Sequence, residues 1–293
     1  MTVALSSQSH TGGYKKYLTK DSTIIVGNGI NRLYRANNDK SWEAILSNLD
    51  KDGNTAVPEG YHLTEYIEII NSNKDDMKNL KTEFVKDISY LNPNQAHYDL
   101  VDVCMKANVN ILTTNFDHTL EKTKGFMPGQ DRSFANNFSS YYPWQRYYHL
   151  SDTSNSIRIW HINGDYKYID SIKLSVSDYS GCLQRFQRNN PNNKESEYEK
   201  DRTWINELME NHIVIVGLGL TEAEFFLRYI LIQRALYNKK AKKSLKGYYL
   251  TKRQDCHSVE GADSRESRRL KFFLDRVGIE TVEFDDYLAM YGL

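Results

Sequence analysis

Three short aliphatic runs, each closed by glycine or a small polar residue, most narrow the folds open to this chain: "STIIVGNG" at 22–29, "VNILTT" at 109–114 and "HIVIVGLGL" at 212–220. Their interiors show little polar alternation, so they predict strands covered on both faces, as in a parallel sheet. "IRIW" at 157–160, "SIKLSV" at 171–176, "GYYLT" at 247–251 and "IETVEF" at 279–284 read as further strands. Between them lie stretches of helical spacing at 41–50, 60–71, 76–90 and 95–107, then "TEAEFFLRYILIQRALY" at 221–237 and "SRRLKFFLDRVG" at 267–278. The first holds Trp42, Ile45, Leu46 and Leu49 on one face, and the fourth Leu100, Val101 and Cys104.

Strands alternating with helices predict an α/β fold, a Rossmann-like doubly wound and mostly parallel sheet, with a helical layer inserted at about 41–107. Residues 1–21 read as a flexible lead and 22–293 as one domain. The aromatic stretch at about 126–156, centred on "SSYYPWQRYYHL", has no period and is expected to be irregular, and "RNNPNNKESEYEKDR" at 188–202 to be a surface loop.

Lys and Arg number 38, as do Asp and Glu, so no global field draws the chain to nucleic acid or an anionic membrane. The run "NKKAKKSLK" at 238–246 is accounted for by a solvated helix end. Cys104, Cys182 and Cys256 are far apart, with no CxxC pair, which argues against a structural zinc or a disulfide framework and for a reducing cytoplasm. No run approaches a membrane span in length, and the first residues lack the apolar core of a signal peptide.

In an open parallel sheet, ligands bind outside the carboxyl ends of the strands at the switch point. Four segments qualify for that rim: "GNG" at 27–29, "TNFD" at 114–117, "HINGD" at 161–165 and "GLGL" at 217–220. Gly27 and Gly29 suit either a backbone approach to a pyrophosphate or a tight turn needed for packing, and Arg32 stands where the dinucleotide fingerprint has its third glycine. Asn115 and Asp117 suit either a ligand or the cap of the helix that follows, and pattern alone does not choose. His97, His118, His149, His212 and His257 show no metal spacing.

"TTNFDHTLE", together with "VGNGIN", "SWEAIL", "HINGD" and "VGLGLTEAEFFLR" in that order, resembles the bacterial sirtuin-like family, the branch found in anti-phage defence proteins. The resemblance runs from about Thr23 to about Tyr287. It implies an NAD-binding core and, in many members, hydrolysis of the bond between nicotinamide and ribose, with NAD as substrate and no metal. By this likeness Gly27, Asn28 and Gly29 would contact the pyrophosphate region, Ile30 and Thr114 would also bind the cofactor, and Asn115 would orient the ribose and the attacking water. By the same likeness Asp117 would bind the nicotinamide amide, Gly164 of the third motif would bind the cofactor, and Gly217, Gly219 and Leu220 would line the adenosine side.

One position departs from the pattern. Where the family has a histidine before the glycine, this chain has Asn163, and an amide cannot accept and release a proton near neutral pH. His161, two residues earlier on the strand, stands about 6.5 Å further back and is expected to pack beside Trp160. Two rival readings remain, a non-catalytic sensor of NAD or ADP-ribose and a scaffold. Because the motifs fill the chain, regulation is expected from a separate protein or from ligand-triggered self-assembly. The missing zinc module argues against protein deacetylation.

Overall fold

A computed structural model describes residues 12–33, 57, 61–72, 77–130, 139–151, 157–196, 202–221, 224–253 and 262–293. The helix expected at 41–50 lies outside them. In chain order the elements are β1 (Ser22–Val26), α1 (Gly29–Arg32), α2 (Leu63–Ser72), α3 (Met77–Ser89), α4 (Gln95–Ala107), β2 (Asn110–Thr113) and α5 (Thr119–Lys122). Then come β3 (Met127–Gln130), β4 (Arg146–His149), β5 (Ile159–His161), α6 (Val176–Arg188) and α7 (Trp204–Glu210). The chain continues through β6 (His212–Val216), α8 (Phe225–Ala241), β7 (Gly247–Lys252), α9 (Ala262–Arg276), β8 (Glu280–Phe284) and α10 (Tyr287–Tyr291).

The eight strands form one sheet in the order β3-β4-β5-β2-β1-β6-β7-β8. The six from β5 to β8 pair in parallel, whereas β3, β4 and β5 pair antiparallel. From β1 the chain moves outward to β2 and then returns past β1 to β6, so the switch point lies between β1 and β6.

Alternate residues of the central strands supply two cores, which is why their sequences are apolar throughout. Ile25, Leu112, Ile213 and Ile215 pack with α6, α7, α8 and α9 through residues such as Phe186, Trp204, Phe226 and Leu274. Ile24, Val26, Ile111, Val214 and Val216 point to the other face, against Leu100, Val101 and Cys104 of α4 and Met290 and Tyr291 of α10. A third cluster joins α2 and α3, through Ile67, Phe84 and Ile88, to Phe116, Ile172 and Leu174, and so seats the inserted helices against the turn after β2.

Several local expectations are corrected. Within 126–156 the chain forms strands β3 and β4, with Gly129 opposite Tyr147 and Pro128 opposite Tyr148. Pro128 and Gly129 hid the first, but β3 is an edge strand, where a missing donor is tolerated. "SIKLSV" is not a strand. Ile169–Ser171 is a 3-10 turn, and Ser175 then caps α6 in a reciprocal pair with Asp178, so the local Ser-x-x-Asp signal prevails over the short alternation. Residues 12–21, read as part of a flexible lead, hold a 3-10 turn at Gly13–Tyr17 whose Tyr14 is buried edge-on against Tyr291. In the surface loop, Asn189 and Asn190 are buried, and residues 197–201 lie outside the described residues. Among the described residues, no helix is long and apolar enough to cross a membrane.

Candidate functional site

At the switch point the turns after β1 and β6 lock together. The Gly27 N–H donates to the Val216 carbonyl at 3.0 Å, and the Gly29 N–H to the Gly217 carbonyl at 2.8 Å. A Cβ on Gly27 would come within 2.7 Å of the Leu218 Cα, and one on Gly29 within 2.8 Å of the Gly217 Cα. Gly217 itself has φ +66°, and a Cβ there would collide with the Tyr291 hydroxyl. The N–H groups of Gly27 and Gly29 are thus engaged by the end of β6 and the turn after it, and the glycines serve first to let two backbones meet.

A cavity of about 400 Å³ opens beside this junction, inside the usual range for small-molecule sites of roughly 300–1,000 Å³. Of the expected residues, Asn28, Gly29, Thr114, Gly217 and Gly219 line it. Ile30 and Leu220 are wholly buried behind it, Leu220 in a left-handed conformation at φ 50°. Arg32, Glu224, Tyr249, Thr251 and Tyr287 also line the cavity, and the sequence pattern assigned none of them to the site. Burial holds the Glu224 carboxyl up at about 7, against the Leu220 N–H and Arg228, which favour the ionised form.

Thr113 and Asn115 form the β2 rim. The Thr113 hydroxyl donates to the Val26 carbonyl at 3.0 Å and accepts from the Asn115 N–H at 3.1 Å, which fixes the turn. The Asn115 amide nitrogen reaches the Gly27 carbonyl at 3.4 Å, while its Oδ1 is buried without a partner. The next residue, Phe116, anchors the turn by an edge-on contact with Phe84 of the inserted layer, ring centres 5.3 Å apart.

Asp117 faces a different set of groups. One oxygen accepts from the Thr119 N–H at 3.0 Å and its hydroxyl at 2.6 Å; the other accepts from the Asn31 amide at 2.8 Å. Asn31 is held in turn by His97 at 2.9 Å, itself paired with Asn94 at the start of α4. Asp117 therefore ties the turn after β1 to the start of α5.

The third rim segment holds a buried polar cluster. Register places His161 beside Thr113 across the parallel pair of β5 and β2. Its Nδ1 donates to the Asn115 carbonyl at 2.7 Å, and Nε2 faces Glu121 Oε1 at 2.8 Å. Burial pulls the His161 pKa down, but the adjacent Glu121 carboxylate outweighs this and holds it up at about 9. His118 Nε2 meets Asp165 at 2.7 Å, and the Tyr148 hydroxyl donates to the other Asp165 oxygen. Burial pushes the Asp165 carboxyl up, yet His118, His161 and Tyr148 together hold it well below the usual carboxylate range. His161 is thus not simply packed beside Trp160; it braces the backbone of Asn115.

One ligand atom each from His118, His161 and Asp165 lies within 4.8 Å of the others, a grouping that sequence spacing did not reveal. Hydrogen bonds to Asn115, Glu121, Tyr148 and the Lys167 N–H already engage these groups. Asn163 is 9% exposed and its backbone carbonyl accepts from Lys173 at 2.9 Å. Gly164 has φ +112°, with the Ser171 carbonyl where a Cβ would stand.

An open α/β sheet with strand order β5-β2-β1-β6-β7-β8 and a cavity at its switch point defines a Rossmann-like, doubly wound class of protein. The family comparison agrees. The SIR2-like domain matches residues 109–281, from just before β2 into β8, more than half of the chain. The chain belongs to the SIR2-like domain family, whose members are NAD-using enzymes. No curated protein matches it.

Proposed function

We propose that this protein is an NAD glycohydrolase effector of anti-phage defence, cleaving NAD to nicotinamide and ADP-ribose. The observation that carries the reading is the buried, unpartnered Oδ1 of Asn115, on a braced turn next to the switch-point cavity. A buried carboxamide oxygen without a partner is costly unless a ligand completes it, and it can accept from a ribose hydroxyl or a water. In the reaction, water adds to the ribose carbon as the bond to nicotinamide breaks. The ring leaves neutral, and the proton of the water passes to solvent. The ribose becomes oxocarbenium-like on the way, so fixing the water and hydroxyls is the main task of the site.

In this reading Asn115 orients water and ribose, and Asp117 holds the nicotinamide amide after exchanging one of its present donors. Asn28 receives the pyrophosphate over the junction that Gly27 and Gly29 allow, and Gly217 and Gly219 border the adenosine. The order of the motifs supports the defence role, and the free buried thiols of Cys104 and Cys182 suit a reducing cytoplasm. A hydrolase that drains NAD has to be held in check, and we assign that to a separate regulatory protein or to self-assembly triggered by a ligand.

Asn163 favours a second reading, an NAD or ADP-ribose sensor without cleavage, since an amide does not relay a proton. Nicotinamide release from the chain and from Asn163→His, each alone and with the products of adjacent genes, decides between them. Release from the histidine form identifies a competent hydrolase site disabled at one position. No release from either form, with NAD still bound, leaves the sensor.

A further inference from the structure

We infer that Glu224 makes the cavity selective for a nucleoside with a free ribose diol, so that the protein takes NAD and rejects its 2′-phosphorylated counterpart. The inference rests on the NAD-binding reading above and deepens it.

Its basis is the position and surroundings of one carboxyl. The glycine junction divides the rim: Asn115 stands beyond β1 on the β2 side, and Glu224, Tyr249 and Thr251 stand on the side of β6 and β7. A dinucleotide with its reacting ribose at Asn115 and its pyrophosphate over the junction puts its second nucleoside against Glu224. The carboxyl's Oε2 is shielded from solvent and has no hydrogen-bond partner. Two neighbouring polar groups are already engaged: the Tyr249 hydroxyl donates to the Leu218 carbonyl at 2.9 Å, and Arg228 donates to the Leu220 carbonyl at 3.4 Å with its guanidinium over Phe273. With one oxygen taken by the Leu220 N–H, Oε2 of Glu224 is left as a buried acceptor without a partner on this side, among the described residues.

A carboxylate matches two vicinal hydroxyls, accepting from both. A 2′-phosphate brings roughly two negative charges to the same place. It must then face a second anion or keep the carboxyl protonated, whereas the diol requires neither. Burial already disfavours the charged form of Glu224, so an added anion meets little solvent screening. Among the described residues Arg32 is the one cation lining the cavity, but it belongs to α1, on the pyrophosphate side of the junction.

Calorimetric titration with ADP and with 2′-phosphoadenosine 5′-diphosphate, at about pH 8 where the carboxyl is ionised, tests the inference without involving nicotinamide. The natural chain is expected to bind ADP at least about tenfold more tightly. Glu224→Gln should narrow that gap to under about threefold, chiefly by gaining affinity for the 2′-phosphate form. Glu224→Asp, which keeps the charge, should retain the rejection and covers the case in which the glutamine variant does not fold. Equal binding of the two probes by the natural chain, tighter binding of the 2′-phosphate form through Arg32, or no binding of either overturns the inference. ADP selectivity without nicotinamide release from any form leaves it standing and removes the hydrolase reading. Nicotinamide release with equal binding of both probes does the reverse.

Discussion

His161 donates through Nδ1 to the backbone carbonyl of Asn115, 2.7 Å away, while its other nitrogen meets Glu121 at 2.8 Å. A residue of β5 thereby fixes the turn after β2, and a carboxylate from α5 fixes that residue. The turn carrying the unpartnered Asn115 oxygen is held from three sides: by His161, by Thr113 and by Phe116 against Phe84.

Glu121→Ala leaves the His161 imidazolium buried without its hydrogen-bonded carboxylate, with Asp165 as the remaining nearby anion. Removing one partner of such a pair costs about 3–5 kcal/mol, and a loss of that order is expected in urea denaturation. Glu121→Gln, which keeps a hydrogen-bonding group of the same length, should lose less. Equal stability of the alanine variant and the natural chain would show that the pair holds no charge.

The same histidine sets a pH dependence. Its folded pKa of about 9 exceeds the unfolded value of about 6.5. The folded state binds the extra proton, so this contribution is complete below about pH 6.5 and is lost as pH rises through about 9. The shift amounts to roughly 3 kcal/mol. Asp165 behaves oppositely. Its folded pKa is depressed, so its contribution is present above about pH 4 and is lost as pH falls. In thermal unfolding followed across the pH range, the stability difference between the natural chain and His161→Gln should be largest below about pH 6.5 and shrink as pH rises through about 9. A difference that stays constant across that range assigns the titration to another group.

Gly217→Ala tests the locked junction. A Cβ there meets the Tyr291 hydroxyl and sits at φ +66°, so a loss of about 2 kcal/mol or more is expected. Gly125→Ala is the control, because Gly125 has a similar φ of +71° with nothing within 4 Å of an added Cβ; it should lose only about 1 kcal/mol. Equal losses would mean that backbone strain, not close packing, fixes the junction.

The central strands could be read from sequence because burial on both faces leaves an uninterrupted aliphatic run, and Ile24, Ile25, Val214 and Ile215 have no exposed side. The edge strand β3 was not legible, since Pro128 and Gly129 are tolerated there because no further strand among the described residues pairs with it. The glycine and Asn115 motifs were visible as local signals, but what their backbone groups do was not. The Gly27 and Gly29 donors are taken by Val216 and Gly217, which lie far along the chain. Likewise, His118 and Asp165 are 47 residues apart, and only the parallel register of β2 and β5 joins them to His161. Glu224 and Tyr249 reach the cavity through strand order, which no local period encodes.

Asn115→Ala separates function from stability. Its Oδ1 has no partner to lose, and its amide nitrogen makes one long contact of 3.4 Å with the Gly27 carbonyl. Unfolding free energy should therefore change by less than about 1 kcal/mol, the scale of one weak hydrogen bond. If the oxygen positions the ribose and the attacking water, nicotinamide release by the Asn163→His form should fall by a factor on the order of 100 when Asn115→Ala is added. A structural asparagine gives the opposite result, a large loss of stability with cleavage per folded molecule unchanged. Measuring both quantities on the same preparations therefore tells whether the oxygen left open in the folded chain is the one the substrate completes.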